Sequence, residues 1–354
     1  MPRILLIAGD GIGPEIMEQA KRILSCFKNQ ISFTLVEGLI GGAAIDTCGS
    51  PFPKETEQEA TRADAVLLGA VGGPKWDNLP LQQRPEKGLL AIRKALGLYA
   101  NLRPLEIWPQ LKNLSPLKPD RLKDVSFIIV RELTGDLYFG EPRGIREENG
   151  VRSAFNTMVY SENEIRRIAR IAFELAQKRK RRVCSIDKAN VLETMRLWRE
   201  IVEDVRCGYP DIELSHLYVD NAAMQIIQKP SDFDIMLTPN MFGDILSDEA
   251  AVLSGSLGLL PSASIGGKSA LYEPVHGSAP DITGKGIANP IGIILSVGMM
   301  MELSFGKPEW NQKILQAVSS VLDSGLRTAD IWIPGAHKVS TDQMGMSIAK
   351  EISK

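Results

Sequence analysis

The sequence predicts an α/β protein built around a largely parallel sheet. Short apolar runs, of the length expected for buried strands, alternate with segments whose apolar residues recur at helical spacing. That alternation is typical of strands joined by helical crossovers. The chain has 354 residues, which is enough for two domains or one large domain with an extensive core.

The predicted elements follow one another in a regular order. The first strand is expected at residues 4–8 and is followed by a helix at 15–27. Further strands are predicted at residues 65–69, 126–130, 183–186 and 234–237. Further helices are predicted at residues 54–62, 161–178, 191–204 and 242–253. Ser161 and Glu164 have the spacing of a capping box, which supports the start of the helix at residues 161–178.

Three other segments have distinctive compositions. Residues 112–124 contain two prolines and scattered charge, which indicates a connection between elements. Residues 149–159, rich in Val, Phe and Thr, are predicted to form an extended arm. The most apolar stretch, residues 287–301, is interrupted by Asn289 and Pro290 and predicts a buried helix instead of a membrane span.

The composition argues against several classes of protein. The net charge is −2, and we therefore expect no nucleic-acid or membrane-surface binding, which normally requires a basic excess. The four cysteines have no paired spacing and the three histidines form no ligand cluster, which argues against a disulfide framework and a zinc site. The apolar start of the chain ends too soon for a signal-peptide core. We therefore expect a cytoplasmic protein.

The glycine-rich segment at residues 9–15 does not match a dinucleotide-binding fingerprint. The Rossmann fingerprint requires glycines at relative positions one, three and six. The sixth position is Pro14 when counted from Gly9, and Ile16 when counted from Gly11. A tight strand-to-helix turn is expected here, without a Rossmann pyrophosphate site.

Two aspartates near the start of a predicted helix suggest a metal site. Asp244 and Asp248 are four positions apart, and they therefore project from one helix face. Carboxylate oxygens suit Mg²⁺ or Mn²⁺. The alternative is a solvated helix N-terminus, where acidic residues are favoured by the helix dipole.

A second helix carries a mixed face of acidic, apolar and basic residues. Glu86, Leu89, Leu90 and Arg93 share that face. One interpretation is an amphipathic helix with its leucines in the core. The other is a pocket wall, in which the leucines hold an aliphatic group beside Arg93. The helix alone favours the first interpretation.

Other arginines also occupy positions that suit ligand binding. Arg103 precedes a proline, so its backbone is expected to be extended. Arg131 directly follows an apolar strand, and α/β sheets bind ligands at the carboxyl ends of their strands. Together with Arg93 they would suit a substrate with two carboxylates, because guanidinium binds carboxylate bidentately. Surface ion pairs are the alternative for each arginine taken singly.

Three further polar side chains are individually ambiguous. Tyr138 fits either a core aromatic residue or a proton donor. Lys188 follows a predicted strand, and a lysine near a cation is shifted toward the neutral form that can act as a base. Asp220 offers a third carboxylate after another apolar run.

Taken together, these segments resemble the isocitrate/isopropylmalate dehydrogenase family. The resemblance extends over nearly the whole chain, through residues 9–15, 71–77, 88–104, 131–140, 187–193, 240–248 and 271–282. It implies a two-domain, non-Rossmann α/β fold with mixed sheets and flanking helices. The first domain, which would hold the adenosine side of NAD, is expected at residues 1–100 and 254–354. The second, with the metal, catalytic residues and dimer interface, is expected at 101–253.

The resemblance also implies a role for each candidate residue. The substrate carboxylates would be bound by Arg93, Arg103 and Arg131. The isopropyl group would contact the wall formed by Glu86, Leu89 and Leu90. The adenosine side of the cofactor would contact His276, Gly277, Ser278, Ala279, Pro280, Asp281, Ile282 and Asn289.

The catalytic and metal residues implied by the resemblance come from two subunits of a homodimer. Tyr138 and Lys188 would form the acid–base pair, with Lys188 supplied by the partner subunit. Asp244 and Asp248 would bind the metal together with Asp220 of the partner subunit. Asp220 would also contact the substrate and assist Lys188.

The reaction implied is the NAD-dependent oxidative decarboxylation of 3-isopropylmalate to 4-methyl-2-oxopentanoate and CO₂, a step of leucine biosynthesis. Leu89 and Leu90 stand where isocitrate-specific members carry serine and asparagine. They would leave a third carboxylate unpaired, at a cost of several kcal/mol. Asp281 and Ile282 replace the lysine and tyrosine of NADP-dependent members, which favours NAD. The metal expected is Mg²⁺ or Mn²⁺.

Some alternatives stay open at this point. The nearest is a related NAD- and metal-dependent β-decarboxylating dehydrogenase of tartrate, malate, homoisocitrate or a methylthioalkylmalate. A metal-dependent lyase or phosphatase and a non-catalytic regulatory subunit are more distant alternatives. Asp136 also departs from the family pattern, because it stands where glycine is common, close to Arg131 and Tyr138.

Overall fold

The computed structural model describes all residues from Met1 to Lys354 and divides into two compact units. The first unit comprises Met1–Leu98, Trp108–Leu114 and Ser254–Lys354. The second comprises Tyr99–Ile107 and Ser115–Leu253. No helix is both long enough and apolar enough to cross a membrane.

The first unit contains a five-stranded sheet, a pair of short strands and seven helices. Its strands are β1 (Arg3–Gly9), β2 (Thr34–Glu37), β3 (Ala65–Ala70), β11 (Pro261–Ile265) and β12 (Ala270–Pro274), with the short pair β13 (Leu326–Arg327) and β14 (His337–Lys338). Its helices are α1 (Gly13–Cys26), α2 (Gly41–Cys48), α3 (Lys54–Arg62), α4 (Pro85–Ala95), α9 (Ile291–Leu303), α10 (Pro308–Asp323) and α11 (Thr341–Ile352). The sheet has the order β2-β1-β3-β12-β11, and only the β11–β12 pair is antiparallel.

The core of the first unit explains why its apolar segments form these elements. Every residue of β3 is buried, as expected for a central parallel strand covered on both faces. Helix α9 is apolar on all sides and almost entirely buried, which is the pattern of a core helix. Pro290 is the N-cap residue of α9. A proline is tolerated there, because its missing N–H would not take part in a hydrogen bond within the helix.

The second unit contains another five-stranded sheet, a hairpin and four helices. Its strands are β4 (Ala100–Glu106), β5 (Ser126–Glu132), β8 (Arg182–Asp187), β9 (Glu213–Tyr218) and β10 (Ile235–Thr238), with the hairpin β6 (Gly144–Glu148) and β7 (Val151–Phe155). Its helices are α5 (Glu162–Gln177), α6 (Glu193–Arg206), α7 (Val219–Gln228) and α8 (Asn240–Ala251). The sheet has the order β4-β5-β10-β8-β9, and only the β4–β5 pair is antiparallel.

The second unit has an aromatic core and an exposed hairpin. Trp198, Phe173 and Phe127 are among its fully buried side chains. All residues of the β6–β7 hairpin are exposed, and Ile145 and Val151 are each about two-thirds exposed, at 66% and 67%. The hairpin therefore contributes little to the core of its own unit.

The predicted fold class is confirmed, because both units consist of sheets with flanking helices. Each predicted strand and helix is present, and the capping box at Ser161 and Glu164 is formed. The ends are displaced by about two residues or less, except that α9 begins at Ile291, four residues after the predicted start at 287. The sheet is mixed and not simply parallel, since an antiparallel pair occurs in each unit. Residues 112–124 form short 3₁₀ turns, and the predicted arm contains β7.

Candidate active site

The two candidate metal ligands lie on α8, which begins directly after β10. Pro239 separates the strand from the helix, and Asp244 and Asp248 are one turn apart. Their side chains are 36% and 68% exposed, so both can reach a ligand. The local sequence therefore forms the predicted pair of carboxylates on one helix face.

Arg131 holds Asp244 from the neighbouring strand β5. Its side chain is buried, donates to Asn240 Oδ1 from Nε (3.1 Å) and Nη2 (2.8 Å), and forms an ion pair with Asp244 through Nη1. Glycine at position 243 makes this approach possible. A Cβ there would lie only 2.8 Å from Cγ of Arg131.

Arg103 approaches the same helix from the antiparallel neighbour β4. Its Nη1 donates to Ser247 Oγ (2.6 Å) and lies 3.3 Å from Asp248 Oδ1, while its Nη2 lies 3.7 Å from Asp244. The expected extended backbone at Arg103 is confirmed, because the residue is within β4. The guanidinium groups of Arg103 and Arg131 therefore offset the negative charges of the Asp244 and Asp248 carboxylates.

Tyr138 lies in the turn after β5 and completes this group. Its hydroxyl donates to Asp244 Oδ2 (3.0 Å), and its ring faces the guanidinium of Arg131 at 5.9 Å. Partial burial raises the pKa of Tyr138, and the carboxylate of Asp244 raises it further. The phenol is therefore protonated at neutral pH, as a proton donor must be.

Lys188 and Asp220 form a separate pair. Lys188 follows β8, Asp220 is in the first turn of α7, and Lys188 Nζ lies 2.7 Å from Asp220 Oδ1. The hydrogen bond from Lys188 lowers the pKa of Asp220, which is therefore ionised at neutral pH. The Asp220 side chain is 64% exposed and is therefore accessible to a ligand.

The acidic residues of a single chain do not complete a metal site. No group of three His, Cys, Asp or Glu side chains that could hold a metal ion occurs in the chain. Asp220 is thus not joined to Asp244 and Asp248 within one copy. The exposed oxygens of Asp244 and Asp248 have the chemistry that Mg²⁺ or Mn²⁺ requires, but such ions bind about six oxygens, so further ligands are needed.

The predicted specificity wall lies on α4 of the first unit. Leu89 and Leu90 are half-buried, and Leu89 packs against the apolar core of that unit. Arg93 Nη2 donates to Glu273 Oε1 (2.7 Å) and is mostly buried. Glu86 is exposed next to Gly72. Arg93 thus belongs to the first unit, whereas Arg103 and Arg131 belong to the second.

The predicted cofactor segment follows β12 in the first unit. The carbonyl of Ser278 accepts the N–H of Ile12 (2.9 Å), and Gly11 packs so closely on Ser278 that a Cβ would meet its carbonyl oxygen at 2.0 Å. The turn at residues 9–13 therefore supports the cofactor segment. Burial lowers the pKa of His276, so its imidazole is neutral at neutral pH.

The remaining cofactor candidates lie close along the chain. Asn289 donates to Asp330 Oδ2 (3.0 Å) and accepts the N–H of Ile291 (3.0 Å) at the start of α9. Gly277, Pro280 and Asp281 are exposed, whereas Ala279 and Ile282 are half-buried. The exposed carboxylate of Asp281 is free to meet a polar ligand.

Two buried aspartates that hold segments next to the candidate residues were not predicted from the sequence. Asp10 is buried, and its carboxylate accepts the N–H groups of Gly42, Ala43 and Gly72 at 2.7–2.8 Å. Asp187, directly before Lys188, is fully buried and bound by both Nε and Nη2 of Arg199. The position of each carboxylate, beside a glycine turn or beside the candidate base Lys188, could have indicated its importance, but its partners are distant in sequence.

Comparisons with known proteins show the family to which the chain belongs. Residues 3–348 match the family described as isocitrate/isopropylmalate dehydrogenase. A 3-isopropylmalate dehydrogenase of Hahella chejuensis is 57% identical over 356 residues, covering 99% of this chain and 99% of that protein. A 3-isopropylmalate dehydrogenase of Aquifex aeolicus is 56% identical over 354 residues, covering 99% and 97%.

Solved structures support the same relationship. The crystal structure of isocitrate dehydrogenase from Methylococcus capsulatus has a TM-score of 0.88 and 34% identity, and the match covers 100% of both chains. A β-decarboxylating dehydrogenase from Thermococcus kodakarensis has a TM-score of 0.79 and 37% identity, covering 99% of this chain and 96% of that one. The resemblance stated from the motifs is confirmed. The chain belongs to the isocitrate/isopropylmalate dehydrogenase family.

Proposed function

We propose that this protein is an NAD-dependent 3-isopropylmalate dehydrogenase. The observation that carries the proposal is the face of α4, where Leu89 and Leu90 accompany Arg93. Relatives named 3-isopropylmalate dehydrogenase share more than half of their residues with this chain over almost their full length. The reaction oxidises the substrate hydroxyl to a ketone, releases CO₂ and adds a proton to the carbon left behind.

The leucines account for the choice of substrate. A branched alkyl group can pack against the half-buried Leu89 and Leu90 and gain about 25 cal/mol for each Å² of apolar surface that it buries. Isocitrate would instead direct a carboxylate at these side chains, and an unpaired buried charge is costly. The similarity to an isocitrate dehydrogenase structure thus concerns the fold and the common chemistry, at 34% identity.

The arginines bind the malate part of the substrate in this proposal. Arg103 and Arg131 are already held by Asn101, Asn240 and the carboxylates of α8, which restricts the directions of their guanidinium groups. Arg93 is fixed by Glu273, so a substrate carboxylate meets a group that needs little reorientation. Preorganised donors of this kind lower the cost of ordering side chains on binding.

Membership of a dehydrogenase family implies a nicotinamide cofactor and a divalent metal, and we propose NAD with Mg²⁺ or Mn²⁺. Asp244 and Asp248 would hold the metal, with Asp220 supplied by a second copy of the chain. When bound, the cation supplies a positive charge for the substrate oxygens and the nicotinamide supplies a hydride acceptor. Asp281 would accept hydrogen bonds from ribose hydroxyls and repel a 2′-phosphate.

Lys188 and Tyr138 move the protons. Lys188 Nζ donates a hydrogen bond to Asp220 Oδ1 (2.7 Å), which fixes the position of the lysine side chain. In this role Lys188 would accept the proton of the substrate hydroxyl, and Asp220 would orient the Lys188 side chain. Tyr138 keeps its own proton at neutral pH and donates it to the carbon left after CO₂ departs.

We propose that the enzyme works as a homodimer. The helices α7 and α8 pack together and expose Met224, Ile227 and Ile245, of which Ile245 is 58% exposed. Val252, the C-cap residue of α8, is also exposed. Exposed apolar side chains on neighbouring helices are expected where a second protein chain covers them. The β6–β7 hairpin, with its exposed Ile145 and Val151, would serve as the arm that reaches the second copy.

The two units would then be the functional domains of the enzyme. The first unit would bind the adenosine side of NAD through residues 276–282 and Asn289. The second unit would carry the metal ligands, the acid–base pair and the dimer interface. All four cysteines are free thiols, which agrees with the cytoplasmic location that we propose.

A steady-state assay tests the proposed function. With 3-isopropylmalate, NAD⁺ and Mg²⁺, the protein should produce NADH and CO₂, and a chelator should abolish the activity until excess Mg²⁺ or Mn²⁺ is added. Asp244→Asn should lose most of this activity. A higher kcat/KM for isocitrate, tartrate, malate, homoisocitrate or a methylthioalkylmalate would refute the substrate, and no NADH with any of them would refute the dehydrogenase reaction.

A further inference from the structure

Asp136 occupies an unusual position in the turn between β5 and Tyr138. It is fully buried, and its φ of +75° lies in the left-handed region that non-glycine residues rarely adopt. Its backbone is fixed, because its N–H donates to Val159 O (3.0 Å) and its carbonyl accepts the N–H of Gly140 (3.0 Å). The side chain therefore projects from a rigid point.

The carboxylate of Asp136 joins two segments that are distant in sequence. Oδ1 accepts the N–H of Leu137 (2.7 Å), and Oδ2 accepts the N–H of Met241 (3.0 Å). Met241 is the second residue of α8, and the first N–H groups of a helix have no partner within the helix. Pro239 at the N-cap supplies no side-chain acceptor. Asp136 thus caps α8 from outside the helix, with a charge that suits the helix dipole.

The capped helix is also the helix that Tyr138 contacts. Leu137 directly precedes Tyr138, whose hydroxyl donates to Asp244 Oδ2 (3.0 Å). A further bond runs from Asn240 Nδ2 to the carbonyl of Gly135 (3.2 Å). The turn therefore meets the helix at its first residues and again at Asp244. Loosening the first contact should change the position of the Tyr138 hydroxyl relative to Asp244.

We propose that Asp136 is a positioning residue, which clamps the turn that carries Tyr138 onto the first turn of α8. It contacts neither the substrate nor a cofactor, and acts through the Leu137 and Met241 amides. This inference depends on the role proposed for Tyr138 as proton donor. A carboxylate that only stabilised the fold would affect the melting temperature and leave kcat unchanged.

Two substitutions separate these cases. Asp136→Gly removes both hydrogen bonds, and glycine adopts a φ of +75° without strain. Asp136→Asn also tolerates that backbone and keeps one acceptor oxygen. Asp124→Gly is the matched control, because Asp124 is an exposed aspartate with a φ of +58° in the same unit.

The expected result is a graded loss of turnover. At saturating substrate, kcat of D136G should fall about tenfold, or about 1.4 kcal/mol in activation free energy, with D136N intermediate and D124G unchanged. The Kd for NAD⁺, measured by fluorescence titration, should stay constant in all three variants. Hydrogen–deuterium exchange should show faster exchange of the Met241 amide in D136G, and this readout requires no turnover.

The proposal is overturned if kcat of folded D136G falls less than threefold, or if D136N loses as much activity as D136G. Unchanged exchange of the Met241 amide would also overturn it. If D136G does not fold, a kcat of D136N equal to that of the wild-type protein overturns the proposal. Absence of dehydrogenase activity in the wild-type protein would instead refute the proposed function, while the exchange measurement still tests the cap.

Discussion

Replacing Arg199 with methionine should lower the free energy of unfolding, because it removes the partner of Asp187, the buried carboxylate beside Lys188. Asp187 is fully buried, and its two oxygens accept hydrogen bonds from Arg199 Nε (2.9 Å) and Nη2 (3.0 Å). Methionine keeps much of the aliphatic side chain but removes both charged donors. Asp187 would then retain the N–H of Ala189 (2.9 Å) and His216 Nδ1 at 3.8 Å.

The expected loss of stability is about 3 kcal/mol. Removing one partner of a buried ion pair costs about 3–5 kcal/mol. The lower end applies because the Arg199 side chain is 34% exposed and the Ala189 N–H still binds the carboxylate. At about 2–4 °C for each kcal/mol, the melting temperature should fall by roughly 6–12 °C.

Thermal unfolding followed by circular dichroism would measure this loss. Arg166→Met is the matched control, because Arg166 pairs with Asp204, whose side chain is 58% exposed, and its loss should cost about 1 kcal/mol or less. Adding Asp187→Asn to the Arg199→Met variant removes the unpaired charge and should restore about 1 kcal/mol or more. Equal melting temperatures for R199M and R166M, or no recovery in the double variant, would refute this account of the pair.

Three further predictions concern catalysis, specificity and pH. Lys188→Met should lower kcat by about 10²–10⁴ with an unchanged circular dichroism spectrum, and near-normal turnover would refute its role as the base. Leu90→Asn should lower kcat/KM for 3-isopropylmalate about tenfold but leave that for malate, which lacks the alkyl group, unchanged; equal losses would argue against contact with the alkyl group. Burial lowers the pKa of His276 in the folded protein, so the unfolded chain binds a proton at this imidazole more tightly. The free energy of unfolding therefore decreases as pH falls below about 6.5. Urea denaturation between about pH 7 and 5 should show a steeper loss in the wild type than in His276→Gln, and identical slopes would contradict the shift.

The elements that could be predicted are those encoded by local patterns. The strand β3 is a continuous apolar run, and α5 has both a capping box and an apolar face, so neighbouring residues alone define them. β4, by contrast, was not predicted as a strand. It pairs with β5 in an antiparallel arrangement, and that pairing depends on partner residues 20 to 32 positions away along the chain.

The same distinction applies to the candidate site. The side-by-side position of Asp244 and Asp248 follows from helix geometry, and the extended backbone at Arg103 follows from the proline after it. Both of these local features could therefore be predicted from the sequence. The family motifs identified the remaining candidate residues, although their partners were not evident from those motifs.

By itself, the sequence determined the fold class, the order of the main elements and the residue types available for chemistry. Only the tertiary structure decided which partner each buried charged side chain contacts. Arg131 binds Asp244, Arg199 binds Asp187, and Asp136 reaches the Met241 amide across 105 positions. The physical reason is that apolar periodicity is a property of adjacent residues, whereas the partner of a buried charge depends on how distant segments pack.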